Sequence, residues 1–109
     1  MDGLAPRVQR IVVQIENAGA AHADAMGKFR SRVDFLNDGG YTFQHDTLPT
    51  VNDLEIAGPF AKKELWRVIC DVRQREKAYA RRLANVPNLP EHIKELFMPD
   101  YMNYARREG

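Results

Sequence analysis

The sequence predicts an all-α fold: an antiparallel hairpin of two long helices closed by a short C-terminal helical cap, and assembled as an oligomer. Three observations predict it. Apolar residues recur at three- and four-residue steps from Leu4 to Leu36 and again after Pro59, which is the helical period. Glycine and proline clusters punctuate the chain between and after these two runs, as breakers do. The single alternating stretch, "YTFQH" at 41–45, has no obvious strand partner, and one strand alone is not stable.

The first helix is read over residues 4–36. Leu4, Val8, Ile11, Ile15, Ala18, His22, Phe29, Val33 and Leu36 form its apolar side. Pro6 falls in a first turn, where its missing N–H would lack a partner anyway. The middle, "AGAAHADAMG" at 18–27, is almost all small. It reads either as a break near Gly19 or as a thin waist where another helix comes close. The continuous helix is favoured, because alanine is the best helix former and each glycine costs only about 1 kcal/mol. "NDGG" at 37–40 stops it.

Residues 38–58 are expected to be an irregular loop lying across the bundle, with a short helical turn at 51–57. Thr50 and Asp53 stand at capping-box spacing, with aspartate in place of the usual glutamate, and Gly58 ends the turn. Pro59 opens the second long helix, 59–86, with apolar residues at 61, 65, 68, 69, 72, 79, 83 and 86. Pro87 ends it. Pro90 starts a short helix, "PEHIKELF", with Glu91 at its positive end. Pro99 then interrupts, and "DYMNYARREG" forms a last short helix capped by Asp100. "FMPDYMNY" at 97–104 is read as a lid over the hairpin, built from adaptable methionine and aromatic side chains.

The 109 residues are enough for one compact domain, 1–109, and too few for two. A two-helix hairpin leaves apolar surface uncovered, so a second copy is expected to complete a homo-oligomer. With 44% hydrophobic and 28% charged residues the chain reads as globular, not disordered. A net charge of +1 excludes a strongly basic nucleic-acid coat for the whole chain and leaves only local charge to act. Cys70 is the one cysteine, which allows no intrachain disulfide and fits a reducing compartment. The N-terminal stretch has neither a basic n-region nor a long apolar core. A cytoplasmic protein without membrane contact is the expectation.

Charge is uneven along the chain. Residues 62–82 hold Lys62, Lys63, Arg67, Arg73, Arg75, Lys77, Arg81 and Arg82 against Glu64, Asp71 and Glu76, a local charge of +5. Arg73, Lys77 and Arg81 step by four and share a helix face. With Arg67 and the flanking Trp66 they form the candidate partner-binding surface, suited to an acidic protein or to phosphates. The plainer reading is a solvated face, partly neutralised by Asp71 and Arg75 at i,i+4.

Tyr-Ala-Arg-Arg occurs twice, at 79–82 and 104–107. Because a helix turns about 100° per residue, only Arg82 and Arg107 can share a side with their tyrosines. Tyr79, Arg82, Tyr104 and Arg107 are therefore the candidate site of an alternative function, an oligomer that holds a phosphorylated small molecule such as a nucleotide at a subunit junction. The ordinary explanation of the repeat is two helix ends, where arginine suits the negative dipole.

Other candidates are weaker. Cys70 lies mid-helix beside Asp71 and reads as structural. His22 reads as a hydrogen-bonded core histidine. His45 and Asp46 adjoin without a nucleophile nearby. Glu91, His92 and Glu95 fall short of a zinc ligand set. No cofactor, metal or catalytic group is expected. The function expected is that of a small, non-enzymatic helical binding or regulatory protein, an inhibitor or adaptor, that occludes an acidic or phosphate-bearing partner. Direct nucleic-acid binding is the third reading.

Overall fold

The computed structural model describes residues 5–108; Leu4, where the first expected helix begins, lies outside them. The described residues form four helices, α1 (Pro6–Asp38), α2 (Val51–Ala57), α3 (Pro59–Leu83) and α4 (Glu91–Glu108), with a 3-10 turn at Val86–Asn88. No strand forms among them. Contacts group the chain into two compact units. The central unit is Ala21–Arg75, and the terminal unit is the described part of Met1–Ala20 with that of Glu76–Gly109. In each, a stretch of α1 packs antiparallel on a stretch of α3.

The central unit is built on an apolar stripe from each helix. Phe29, Val33 and Leu36 of α1 meet Ala61, Leu65, Ile69 and Val72 of α3, and Leu54 of α2 closes the cluster. All are buried. Two polar ties accompany the antiparallel packing: Arg32 to Glu64 at 3.2 Å, and Arg75 to the Ala21 carbonyl at 3.2 Å. The second tie seats an arginine on the small-residue waist of α1, where no long side chain stands in its way.

α1 runs unbroken through that waist and two residues past Leu36. Its end is a glycine-terminated Schellman turn. Tyr41 N–H donates to the Leu36 carbonyl at 3.1 Å and Gly40 N–H to that of Asn37 at 3.0 Å. Gly40 has φ 106°, a conformation that suits a residue without Cβ. Tyr41 and Phe43 stack with ring centroids 5.8 Å apart, and both pack on the central cluster. The alternating "YTFQH" pattern is thus an extended strap whose apolar side faces inward. Its backbone pairs with a side chain: Asn37 Nδ2 donates to the Phe43 carbonyl and Asn37 Oδ1 accepts from Phe43 N–H, both at 2.9 Å.

α2 begins with the capping box expected of Thr50 and Asp53. Asp53 N–H donates to the Thr50 hydroxyl at 3.1 Å, and the Asp53 carboxylate accepts from Thr50 N–H at 3.0 Å. Gly58, at φ 105°, ends it.

The terminal unit has its own core. Val12 and Ile15 of α1 pack with Leu83, Val86 and Leu89, and with the half-buried Tyr79, Ile93, Phe97, Tyr101 and Tyr104. Gly19 lies under the Tyr79 ring; a Cβ there would stand 3.1 Å from it. The close approach expected at the waist is this contact between α1 and α3.

Two sequence expectations are corrected in this unit. Helix 59–86 ends at Leu83, not at Val86. Pro87 has no N–H to give the Leu83 carbonyl, so the α pattern is interrupted there. The tighter turn at Val86–Asn88 stacks positions three apart, and it brings both Val86 and Leu89 into the core. The second correction is α4, which is one helix through Pro99 and not two short ones. Ile93, Phe97, Tyr101 and Tyr104 recur at steps of four, four and three on both sides of that proline. They reach one cluster only if the helix continues.

Candidate functional site

The outer side of α3 is set by its register. With Ala61, Leu65, Ile69, Val72 and Leu83 buried, an arc of about 120° on the solvent side carries Pro59, Lys63, Trp66, Arg67, Cys70, Arg73, Gln74, Lys77 and Arg81, and the exposed Phe60 and Ala78 lie just beyond Arg67. This arc holds five cations, one tryptophan and no carboxylate. Trp66 is 44% exposed. Lys63, Arg67, Arg73, Lys77 and Arg81 are all exposed, and Cys70 is half-buried.

Which cations remain available depends on where the carboxylates go. Each acidic side chain of α3 is taken by a cation outside this arc. Glu64 pairs with Arg32 of α1 at 3.2 Å, Asp71 with Arg75 at 3.0 Å, and Glu76 with Arg107 of α4 at 2.7 Å. The remaining basic groups of α3 are engaged too: Lys62 pairs with Glu55, and Arg82 donates to Gln14 Oε1 at 3.3 Å. Among the described residues, Lys63, Arg67, Arg73, Lys77 and Arg81 make no ion pair or side-chain hydrogen bond. Trp66, Arg67 and Arg73 lie exposed on the central unit's stretch of α3, where Lys63 joins them, and Lys77 and Arg81 lie exposed on the terminal unit's stretch. Lys63 stands eighteen residues before Arg81, five whole turns of a helix, a spacing the sequence already held.

Compared with known proteins, the chain matches no family, no curated protein and no solved structure.

The residues of the repeated tetrapeptide are differently employed. Tyr79 and Tyr104 both pack into the terminal core, and each arginine pair sits in a last helical turn. Tyr79 Oη donates to Asp100 Oδ2 at 2.7 Å, and Arg107 is held by Glu76. Tyr104 lies 6.1 Å from Tyr101, ring to ring. Together these contacts form a polar seam between α3 and α4 that no local pattern announces.

Burial, then the hydrogen bond to Asp100 and its negative charge, raise the Tyr79 phenol well above its ordinary 10.0. The folded chain therefore holds this proton more tightly than the unfolded chain. The stability it contributes is complete below pH 10.0 and is lost as pH climbs above that value. Tyr79→Phe is expected to shed part of the alkaline loss. Urea midpoints at about pH 8 and about pH 11 will fall less in the variant than in the parent. An equal fall in both proteins contradicts the assignment.

The remaining candidates stand apart. His45 is exposed and pairs with Asp34, not with its neighbour Asp46. Glu91 and His92 are exposed, and Glu91 lies 3.6 Å from Lys94. Among the described residues, no three His, Cys, Asp or Glu side chains gather as a metal site, and no helix is long and apolar enough to cross a membrane. An open groove of about 530 Å³ lies beside the strap, lined by Tyr41, Phe43, Gln44, Leu48, Asp53 and Ile56. Its one carboxylate, Asp53, is already used in the cap of α2.

Proposed function

We propose that this chain is a small helical binding protein, an inhibitor or adaptor, that acts by contact and engages an acidic or phosphate-bearing partner through the outer face of α3. One observation carries the reading. Every carboxylate of α3 is occupied by a cation from off this face, which leaves five cations exposed without internal neutralisation. Solvated helix faces ordinarily interleave the two signs. A face of one sign concentrates counter-ions and steers oppositely charged partners.

The double variant Arg73→Glu with Lys77→Glu tests it. Both side chains are exposed, so stability is expected to stay within about 0.5 kcal/mol. Binding to polyglutamate, nucleic acid or inorganic polyphosphate is expected to weaken by about tenfold or more. Unchanged binding by a folded variant removes this surface from consideration.

A second copy of the chain is the proposed cover for exposed apolar side chains such as Ile56, at 78%, and Leu96, at 72%. Light scattering is expected to give a mass above that of one chain. A mass of 12.5 kDa refutes self-association.

A further inference from the structure

Resting on that reading of the α3 face, we infer that its partner is single-stranded nucleic acid, with phosphates on the cations and an unpaired base stacked on Trp66. The composition of the face separates the possible polyanions. A protein partner is ordinarily met by an apolar centre in which lysine is depleted, whereas nucleic-acid interfaces are more polar and far more positive. Here five of nine residues are cationic, two of them lysines, and the only aliphatic side chain is the terminal Pro59. A lipid surface needs an apolar helix face to enter it. The aliphatic side of α3, Leu65, Ile69 and Val72, is sealed in the core of its own unit, so a bilayer would find on the solvent side of α3 only two large apolar groups, Phe60 and Trp66.

The position of the indole argues for strands that are not paired. Trp66 is the sole tryptophan and is exposed among cations. Lys63 lies one turn before it, about 4.5 Å along the axis, Arg67 adjoins it, and Arg73 lies two turns on, about 10.5 Å away. Lys77 and Arg81 continue the row. A duplex keeps its bases stacked on one another and offers this ring only backbone and groove. A single strand offers a free π-face with flanking phosphates, which is how aromatic side chains set in basic surfaces bind it.

Trp66 fluorescence reads this face directly. The full chain is titrated with a single-stranded DNA oligonucleotide, its RNA equivalent, the same sequence as a duplex, and polyglutamate of matched charge. The single strands are expected to quench Trp66, with affinity falling as salt rises by about 0.7 log units per log unit for each phosphate bound. In anisotropy measurements with a labelled strand, Trp66→Ala is expected to weaken binding by about 5- to 150-fold. Trp66→Phe, which keeps a stacking ring, should retain most of the affinity. Duplex or polyglutamate binding as tight as that of the single strands, or single-strand binding indifferent to Trp66→Ala, overturns the inference and leaves the proposed function standing. If none of the four polyanions binds, both fall.

Discussion

Phe29→Ala is expected to lower the free energy of unfolding by about 3–5 kcal/mol. Phe29 is the largest of the fully buried side chains, at 0% exposure. It is hemmed in by a cluster drawn from three helices, so neighbours on α2 and α3 can collapse only partly into the space left behind. A small domain is stable by only about 5–15 kcal/mol in all. The loss therefore moves the urea midpoint far toward zero while leaving the denaturant slope unchanged. Phe35→Ala, six residues along the same helix, is the control. Its ring is 55% exposed, and its removal should cost about 0.5 kcal/mol or less. Equal costs at the two positions, read by far-ultraviolet circular dichroism, would mean that α1 does not present the face described.

Pro99→Ala carries the opposite sign. A proline inside a helix costs about 3 kcal/mol relative to alanine, through the missing hydrogen bond and its ring against the preceding turn. Its rigidity in the unfolded chain returns about 0.4–1 kcal/mol. Pro99 is exposed, so alanine forfeits little packing, and a net gain of about 2 kcal/mol is expected. The parent tolerates the proline because the residues on either side of it share one apolar cluster, which outweighs a local defect. A variant with a lower urea midpoint than the parent would show that the helix is not continuous at this position.

These two residues mark what the sequence could and could not disclose. Phe29 stands in a regular stripe, and the stripe, the glycine stop after it, the Thr50–Asp53 cap and the start at Pro59 are all local signals. Each is written within four residues of where it acts. Pro99 is a local signal as well, and it is overruled. Phe97 and Tyr101, two residues before and two after it, are drawn to a surface made by α1 and α3, and no window around the proline contains that surface. The end of α3 combines the two: Pro87 is a local stop, while Val86 and Leu89 are placed by the core they enter.

The candidate face divides in the same way. Its register, and hence Arg73, Lys77, Arg81 and Trp66, is visible as helical spacing. Which of the eight basic groups in 62–82 stay available is not. That depends on Arg32 reaching Glu64 across 32 positions and Arg107 reaching Glu76 across 31. Read locally, Glu64, Asp71 and Glu76 would dilute the positive charge. Only the assembled fold shows them occupied elsewhere.

The amide of Asn37 has a consequence for the strap that crosses it. It both gives and takes a hydrogen from the same residue, Phe43, as the edge of a neighbouring strand would. Aspartate, of equal size, can only take when ionised, and leucine can do neither. A pair of hydrogen bonds thus replaces the missing sheet: the segment can neither slip by a residue nor turn over without giving up both at once.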